Sequence, residues 1–137
     1  MDENQVVKCV CGYLNGRGYT VEQQLLTTQQ GVDIVARHDS SGRRLYIEAK
    51  GGTSSVSGSA RFGNPYTQSQ VFDRVAKGVF TALELRSRYP DRAVAEVALA
   101  VPDSRHFRRY LGPVLQQLRD AGIEVLFVAE DESVVRA

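Results

Sequence analysis

Gly31-Val32-Asp33-Ile34-Val35-Ala36-Arg37-His38-Asp39-Ser40-Ser41-Gly42-Arg43-Arg44-Leu45-Tyr46-Ile47-Glu48-Ala49-Lys50 is the stretch on which the reading turns. Two runs rich in β-branched residues flank Asp39-Ser40-Ser41-Gly42, which has turn chemistry, so the pattern predicts an antiparallel hairpin. With the turn centred between Ser40 and Ser41, Asp33 faces Glu48 and Gly31 faces Lys50. Side chains alternate along a strand. One face then carries Val32, Ile34, Ala36, Leu45, Ile47 and Ala49, which is a core; the other carries Asp33, Glu48 and Lys50. A slip of one residue would drive the charges into the core, so the apolar pattern supports the polar grouping independently.

Two carboxylates facing each other across strands repel by about 0.2–1 kcal/mol. A hard divalent cation such as Mg²⁺ offsets this, because it takes one or two carboxylates and completes its shell with water and phosphate oxygens. Lys50, one strand step beyond Glu48 on the same face, could orient a metal-bound water or stabilise charge developing on a phosphate. These are the residue types of metal-assisted phosphodiester hydrolysis. Acid–x–lysine is a common strand pattern, and a cross-strand ion cluster accounts for Glu48-Ala49-Lys50 without a ligand. Its setting distinguishes it: a glycine shortly before Asp33, the matched hairpin register, and Gly51-Gly52 immediately after Lys50, where a backbone can approach closely.

Outward from the hairpin, helical spacing of Val6, Val7, Val10, Tyr13 and Leu14 predicts a helix over about Asn4–Asn15, capped by Asp2 with Gln5 and stopped at Gly16 and Gly18. Strands are expected at about Tyr19–Leu26, Val32–Arg37 and Arg44–Lys50. Gly51 to Pro65 is dense in Gly and Ser; a loop of that length in a small domain is functional or mobile. A long helix follows, about Gln68–Arg88, with Val71, Phe72, Val75, Ala76, Val79 and Leu83 as its apolar stripe, ended by Tyr89-Pro90. Val94–Val101 reads as a strand buried on both faces. A third helix covers about Ser104–Ala121 with Phe107, Leu111, Val114, Leu115 and Leu118 inward, and Ile123–Ala129 is the last strand. The order helix-strand-strand-strand-helix-strand-helix-strand implies an α/β sandwich on a central mixed sheet, an antiparallel meander followed by parallel crossovers.

Composition agrees with one domain over residues 1–137: the chain has 137 residues, is 42% hydrophobic and 24% charged, and has a formal net charge of +1. That balance excludes a tail-driven nucleic-acid binder. No run reaches the roughly 18 apolar residues of a membrane span, and Met1-Asp2-Glu3-Asn4 is no secretory signal. Cys9 and Cys11, the two cysteines, make neither a disulfide framework nor a zinc site and read as reduced packing residues of a cytoplasmic protein.

Gly31-x-Asp33 with Glu48-Ala49-Lys50, set between a preceding and a following helix, resembles the PD-(D/E)xK or restriction-endonuclease-like nucleases, nearest in pattern to the Holliday-junction-resolvase-like members. The resemblance spans about Glu3 to Val101 and implies the three-layer restriction-endonuclease-like sandwich. It also implies a Mg²⁺-dependent endonuclease, with Mn²⁺ as substitute, in which Asp33, Glu48 and the Ala49 carbonyl hold the metal and Lys50 serves the attacking water. Val32 replaces the family's usual proline, a departure that removes no ligand. Resolvase-like members carry a glutamate on the first helix, for which Glu3 is the candidate; a favourable charge in the first helical turn explains Glu3 equally well. Members also place a glutamine after the lysine strand, for which Gln70 or Gln68 is the candidate, although Thr67 and Gln70 form a capping-box pair. A symmetric homodimer is a further expectation from the resemblance.

Gln70, Arg74 and Lys77 share one face of the long helix and could track a phosphate backbone, and Arg61 in the Gly/Ser segment could lie over the substrate. A solvated helix face is the alternative for Lys77. Arg105, His106, Arg108 and Arg109, clustered early in the third helix, have a placement that suits phosphate contact, although a solvated face is the favoured reading. The partner expected is nucleic acid, DNA ahead of RNA, and no membrane. The alternatives are a catalytically inactive nucleic-acid- or protein-binding module of the same fold and a toxin-type nuclease acting on RNA.

Overall fold

The computed structural model describes residues 1–26, 29–53 and 64–137. The elements are α1 (Glu3–Asn15), β1 (Tyr19–Gln24), β2 (Ile34–His38), β3 (Arg44–Ala49), α2 (Gln68–Arg88), β4 (Ala95–Pro102), α3 (Arg105–Leu111), a 3₁₀ turn over Gly112–Val114, α4 (Leu115–Asp120), β5 (Ile123–Val128) and β6 (Val134–Arg136). The six strands form one sheet in sequence order. β1, β2 and β3 pair antiparallel, β3, β4 and β5 parallel, and β5 with β6 antiparallel. The expected three-layer α/β sandwich with a mixed sheet is the fold.

Alternation along the strands divides the core into two clusters. Ile34, Ala36, Leu45, Ile47, Ala49, Ala98, Ala100, Leu126 and Val128 pack with Val6, Val7, Val10 and Leu14 of α1. Val97, Leu99, Val101, Ile123, Val125 and Phe127 face the other way, onto Val71, Val75, Ala82 and Leu85 of α2 and Phe107, Leu111 and Leu118 of α3 and α4. Each fully buried Leu, Ile or Phe contributes about 1.5–3 kcal/mol relative to exposure. The β2–β3 register is the one the hairpin pattern requires, with Ile34 opposite Ile47, Val35 opposite Tyr46, Ala36 opposite Leu45 and Arg37 opposite Arg44. Both predicted capping boxes form, Asp2 with Gln5 and Thr67 with Gln70.

Several expectations are corrected. The third helix is two helices, because Pro113 in the Gly112–Val114 turn has no N–H to donate and the chain tightens to 3₁₀ there. Val114, expected inward, is consequently exposed. The sheet gains β6, a short strand after the last one expected. Phe72 and Leu83 are exposed rather than part of the buried stripe, and so is Ala76; the buried stripe is Val71, Val75, Gly78, Ala82 and Leu85. Val32 lies before β2, after Gly31 at φ +127°, and packs toward α2 instead of sharing the face of Ile34. β1 ends at Gln24 and carries a bulge between Val21 and Gln23. Cys9 and Cys11 are free thiols, in line with their expected reduced state, and burial pushes that of Cys11 up to about 11.

The N-terminal end of α1 is fastened to the end of β3. Asp2 bridges Thr53 in parallel, and the Gly52 N–H donates to the Met1 carbonyl at 2.8 Å. The approach is tightest at Gly51, where a Cβ would lie 2.3 Å from the Glu3 nitrogen and 2.6 Å from the Asp2 carbonyl carbon. Backbone cannot yield as a flexible side chain would. Gly51→Ala is therefore expected to cost about 1–3 kcal/mol or more. Gly52→Ala, whose Cβ would meet nothing closer than 3.5 Å, is expected to stay within about 1 kcal/mol of wild type. Urea denaturation of the two variants side by side checks this.

Candidate functional site

Asp33, Glu48 and Lys50 come together at the carboxyl end of β3, on the sheet face that α2 only partly covers. Asp33 is the last residue before β2. Its carbonyl accepts from the Leu25 N–H at 2.8 Å, tying it to the chain after β1, and its Oδ2 accepts from the Ala49 N–H at 2.8 Å. Its side chain thus reaches across to β3 and is anchored on that strand's backbone. The carboxyls of Asp33 and Glu48 lie close enough for each to influence the other's protonation. Lys50 Nζ lies 2.8 Å from Glu48 Oε1 and 4.0 Å from Glu3 Oε1. Its N–H donates to the Ala100 carbonyl at 2.9 Å, so the lysine is held to β4 as well.

Glu3 therefore does reach this cluster, carried there by the close contact of Asp2 and Glu3 with Gly51. The stem of Lys50 owes its space to Gly78 of α2: a Cβ there would lie 2.8 Å from Leu99 Cδ1 and 3.2 Å from Lys50 Cγ. Gly78 was not singled out in the sequence, yet a glycine inside a long helix, costing about 1 kcal/mol relative to alanine, was the available signal. Beside Glu48 an open cleft is lined by Gly31 and Val32 on one side and Thr81, Glu84, Leu85 and Arg88 of α2 on the other. These α2 residues, also unmarked in the sequence, flank the route from solvent to the carboxylates.

Gln70 and Arg74 have contacts of their own. Gln70 Oε1 accepts from the Thr67 N–H at 2.9 Å, completing the capping box. Arg74 donates to the Tyr66 hydroxyl at 3.1 Å and stacks over its ring, while Lys77 is exposed. Arg61 lies outside the described residues. Arg108 pairs with Asp103 at 2.6 Å and covers the Phe127 ring.

The electrostatics follow from burial and like charge. Glu48 is 7% exposed. Burial, and then the neighbouring Asp33 carboxylate, push its pKa up to about 7, against the opposing pull of Lys50. Burial raises Asp33 too, partly offset by the Ala49 N–H. The two share protons as a pair. Among the described residues no group of three or more His, Cys, Asp or Glu is placed to hold a metal ion. What the site offers is two adjoining carboxylates and the Ala49 carbonyl, which leaves the strand on the same edge as the N–H that reaches Asp33. That all-oxygen set fits a hard cation that keeps several waters, such as Mg²⁺ or Mn²⁺, and not a tetrahedral zinc centre.

A folded-state pKa above the unfolded one means that the native protein binds the extra proton. Without metal, stability is fullest below about pH 4.5, the ordinary Glu value, and falls as pH rises through about 7,. Glu48→Gln is expected to flatten the decline between these limits, measured as unfolding free energy at pH 5 and pH 8. A decline equally steep in the variant would remove Glu48 as its source.

A family model described as a restriction endonuclease matches residues 1–60. No curated protein matches the sequence. Among solved structures, the chain is similar in fold to a FdxN element excision controlling factor protein from Anabaena variabilis, with TM-score 0.53 and 18% identity over 97% of this chain and 95% of that one. The resemblance first read from Gly31–Lys50 is thus to the restriction endonucleases, whose family model covers the part of the chain that carries Glu3, Asp33, Glu48, Ala49 and Lys50.

Proposed function

We propose that the chain is a metal-dependent endonuclease that hydrolyses phosphodiester bonds, in DNA ahead of RNA. The observation that carries this is the side-by-side placement of the Asp33 and Glu48 carboxyls with the Lys50 ammonium 2.8 Å from Glu48. The match of residues 1–60 to a restriction endonuclease model supports both the reaction and the choice of DNA.

In this reading Asp33, Glu48 and the Ala49 carbonyl hold Mg²⁺, with Mn²⁺ as substitute. The ion, when bound, supplies Lewis-acid polarisation of the phosphate and a more acidic water. The protein does the rest. Ala49 fixes the Asp33 carboxylate through its N–H, so little reorganisation remains when substrate arrives. Glu48 would enter that ligand set as a carboxylate, its proton passing to solvent. Lys50 turns its ammonium from Glu48 toward the attacking water and the charge growing on the phosphoryl oxygens. Glu3 keeps a second carboxylate near that ammonium, holding it in place. The water oxygen bonds to phosphorus, its proton passing to solvent, as the bond to the leaving sugar oxygen breaks and that oxygen takes up a proton from solvent. Thr81 and Arg88 flank the cleft through which the strand reaches Glu48.

The test is cleavage of supercoiled and branched DNA, and of single-stranded RNA, with Mg²⁺ or Mn²⁺. Wild type is expected to cut DNA, to stop on chelation, and to lose about 10²-fold or more in rate in Lys50→Ala and Asp33→Asn. Equal cleavage by all three proteins removes the site. Nucleic-acid binding with neither cleavage nor a thermal shift on adding Mn²⁺ makes the chain a binding module, and cleavage confined to RNA reassigns the substrate.

A further inference from the structure

At the opposite end of the sheet from Glu48, five arginines line one cavity of about 350 Å³: Arg43, Arg86, Arg92, Arg119 and Arg136. They come from the turn before β3, from α2, from the loop before β4, from α4 and from β6, so the tertiary fold alone gathers them. Two side-chain carboxylates share the lining, Glu96 and Glu124, leaving a surplus of positive side chains.

The glutamates are already assigned. Arg43 pairs with Glu96 at 3.0 Å, and Arg136 with Glu124 at 2.8 Å and Glu96 at 3.9 Å. Among the described residues no carboxylate pairs with Arg86, Arg92 or Arg119. Arg86 is only 9% exposed. It donates to the carbonyls of Gly122, Tyr89 and Ala95. Arg92 donates to the Asp120 carbonyl at 2.7 Å and Arg119 to Gln116 Oε1 at 3.4 Å. Buried Nε atoms of Arg86 and Arg43 have no hydrogen-bond partner.

Like charges are pressed together here. Burial and the proximity of Arg92 and Arg43 lower the Arg86 pKa, and Asp91 opposes them. Gly122, at φ +83°, makes the crowding possible: a Cβ there would lie 2.8 Å from Arg92 Nε and 3.0 Å from Arg86 Cδ. Guanidiniums held by carbonyl dipoles alone leave a concave field of one sign, and planar N–H forks suit tetrahedral oxyanions. Among the described residues no aromatic ring lines the cavity, so none of them would stack a base there. We propose that this cavity is a second site, separate from the carboxylates, that binds a phosphate-type oxyanion through Arg86, Arg92 and Arg119. The proposal stands on these residues and does not depend on nuclease activity.

The probe is inorganic phosphate against chloride at matched ionic strength, read by thermal unfolding and calorimetry of the full chain. Phosphate at ten times its dissociation constant is expected to raise the midpoint by about 3 °C or more. Arg92→Gln combined with Arg119→Gln, both at exposed positions, is expected to fold and to lose the shift. No shift beyond chloride, or the same shift in the double variant, overturns the proposal. Short duplex DNA identifies the source of the anion: about tenfold weaker binding by the double variant assigns a backbone phosphate, and unchanged DNA binding with a lost phosphate shift assigns a free one.

Discussion

Ile34 opposite Ile47 is the pairing on which the rest depends. Both side chains are fully buried beneath α1, so the register is enforced by apolar area and not by the turn alone. Once it is set, Asp33 stands at the end of β2 beside β3, and the Ala49 N–H is the donor within its reach. Glu48 is then turned to the α2 face between Ile47 and Ala49, which are turned to α1. The charged cluster is what remains when the apolar residues of one hairpin are satisfied.

The second constraint is the convergence of two helical layers on the end of one strand. α1 approaches through Gly51 and α2 through Gly78, and at both places a single methyl group would meet an atom closer than 3 Å. Glycine is used here for lack of volume: Gly51 lets one backbone lie on another, and Gly78 lets a helix lie on a lysine stem. The result is an ammonium beside carboxylates at low exposure, where desolvation outweighs ion pairing and raises the pKa of Glu48 and of Asp33,.

What was legible in the sequence was local. The bounds of α2 could be read directly, because Thr67-x-x-Gln70 starts it and Tyr89-Pro90 stops it within a few residues of chain. The adjacency of Asp33, Glu48 and Lys50 was legible because strand alternation and register are themselves short-range rules. Pro113 carried the warning that the third helix would break, but the apolar spacing around it was strong enough to hide it. β6, with three residues, is too short for a periodic signal. Phe72 and Leu83 fit a helical stripe by spacing, yet each lies one residue, roughly a quarter turn of the helix, past the buried positions Val71 and Ala82,, and only tertiary packing decides between two apolar faces of one helix. The arginine cavity was beyond reach for the same reason: residues between Arg43 and Arg136 meet only after the crossovers have brought the strand beginnings side by side.

The two borders of the sheet bear on how copies of the chain meet. β1 is interrupted by its bulge and carries Glu22 bound to Arg37 and Arg44, while β6 offers only three residues. Neither outer strand presents a long, flat row of unsatisfied amides, the template on which foreign β segments add and polymerise. Both borders therefore disfavour edge-to-edge addition of a further strand,.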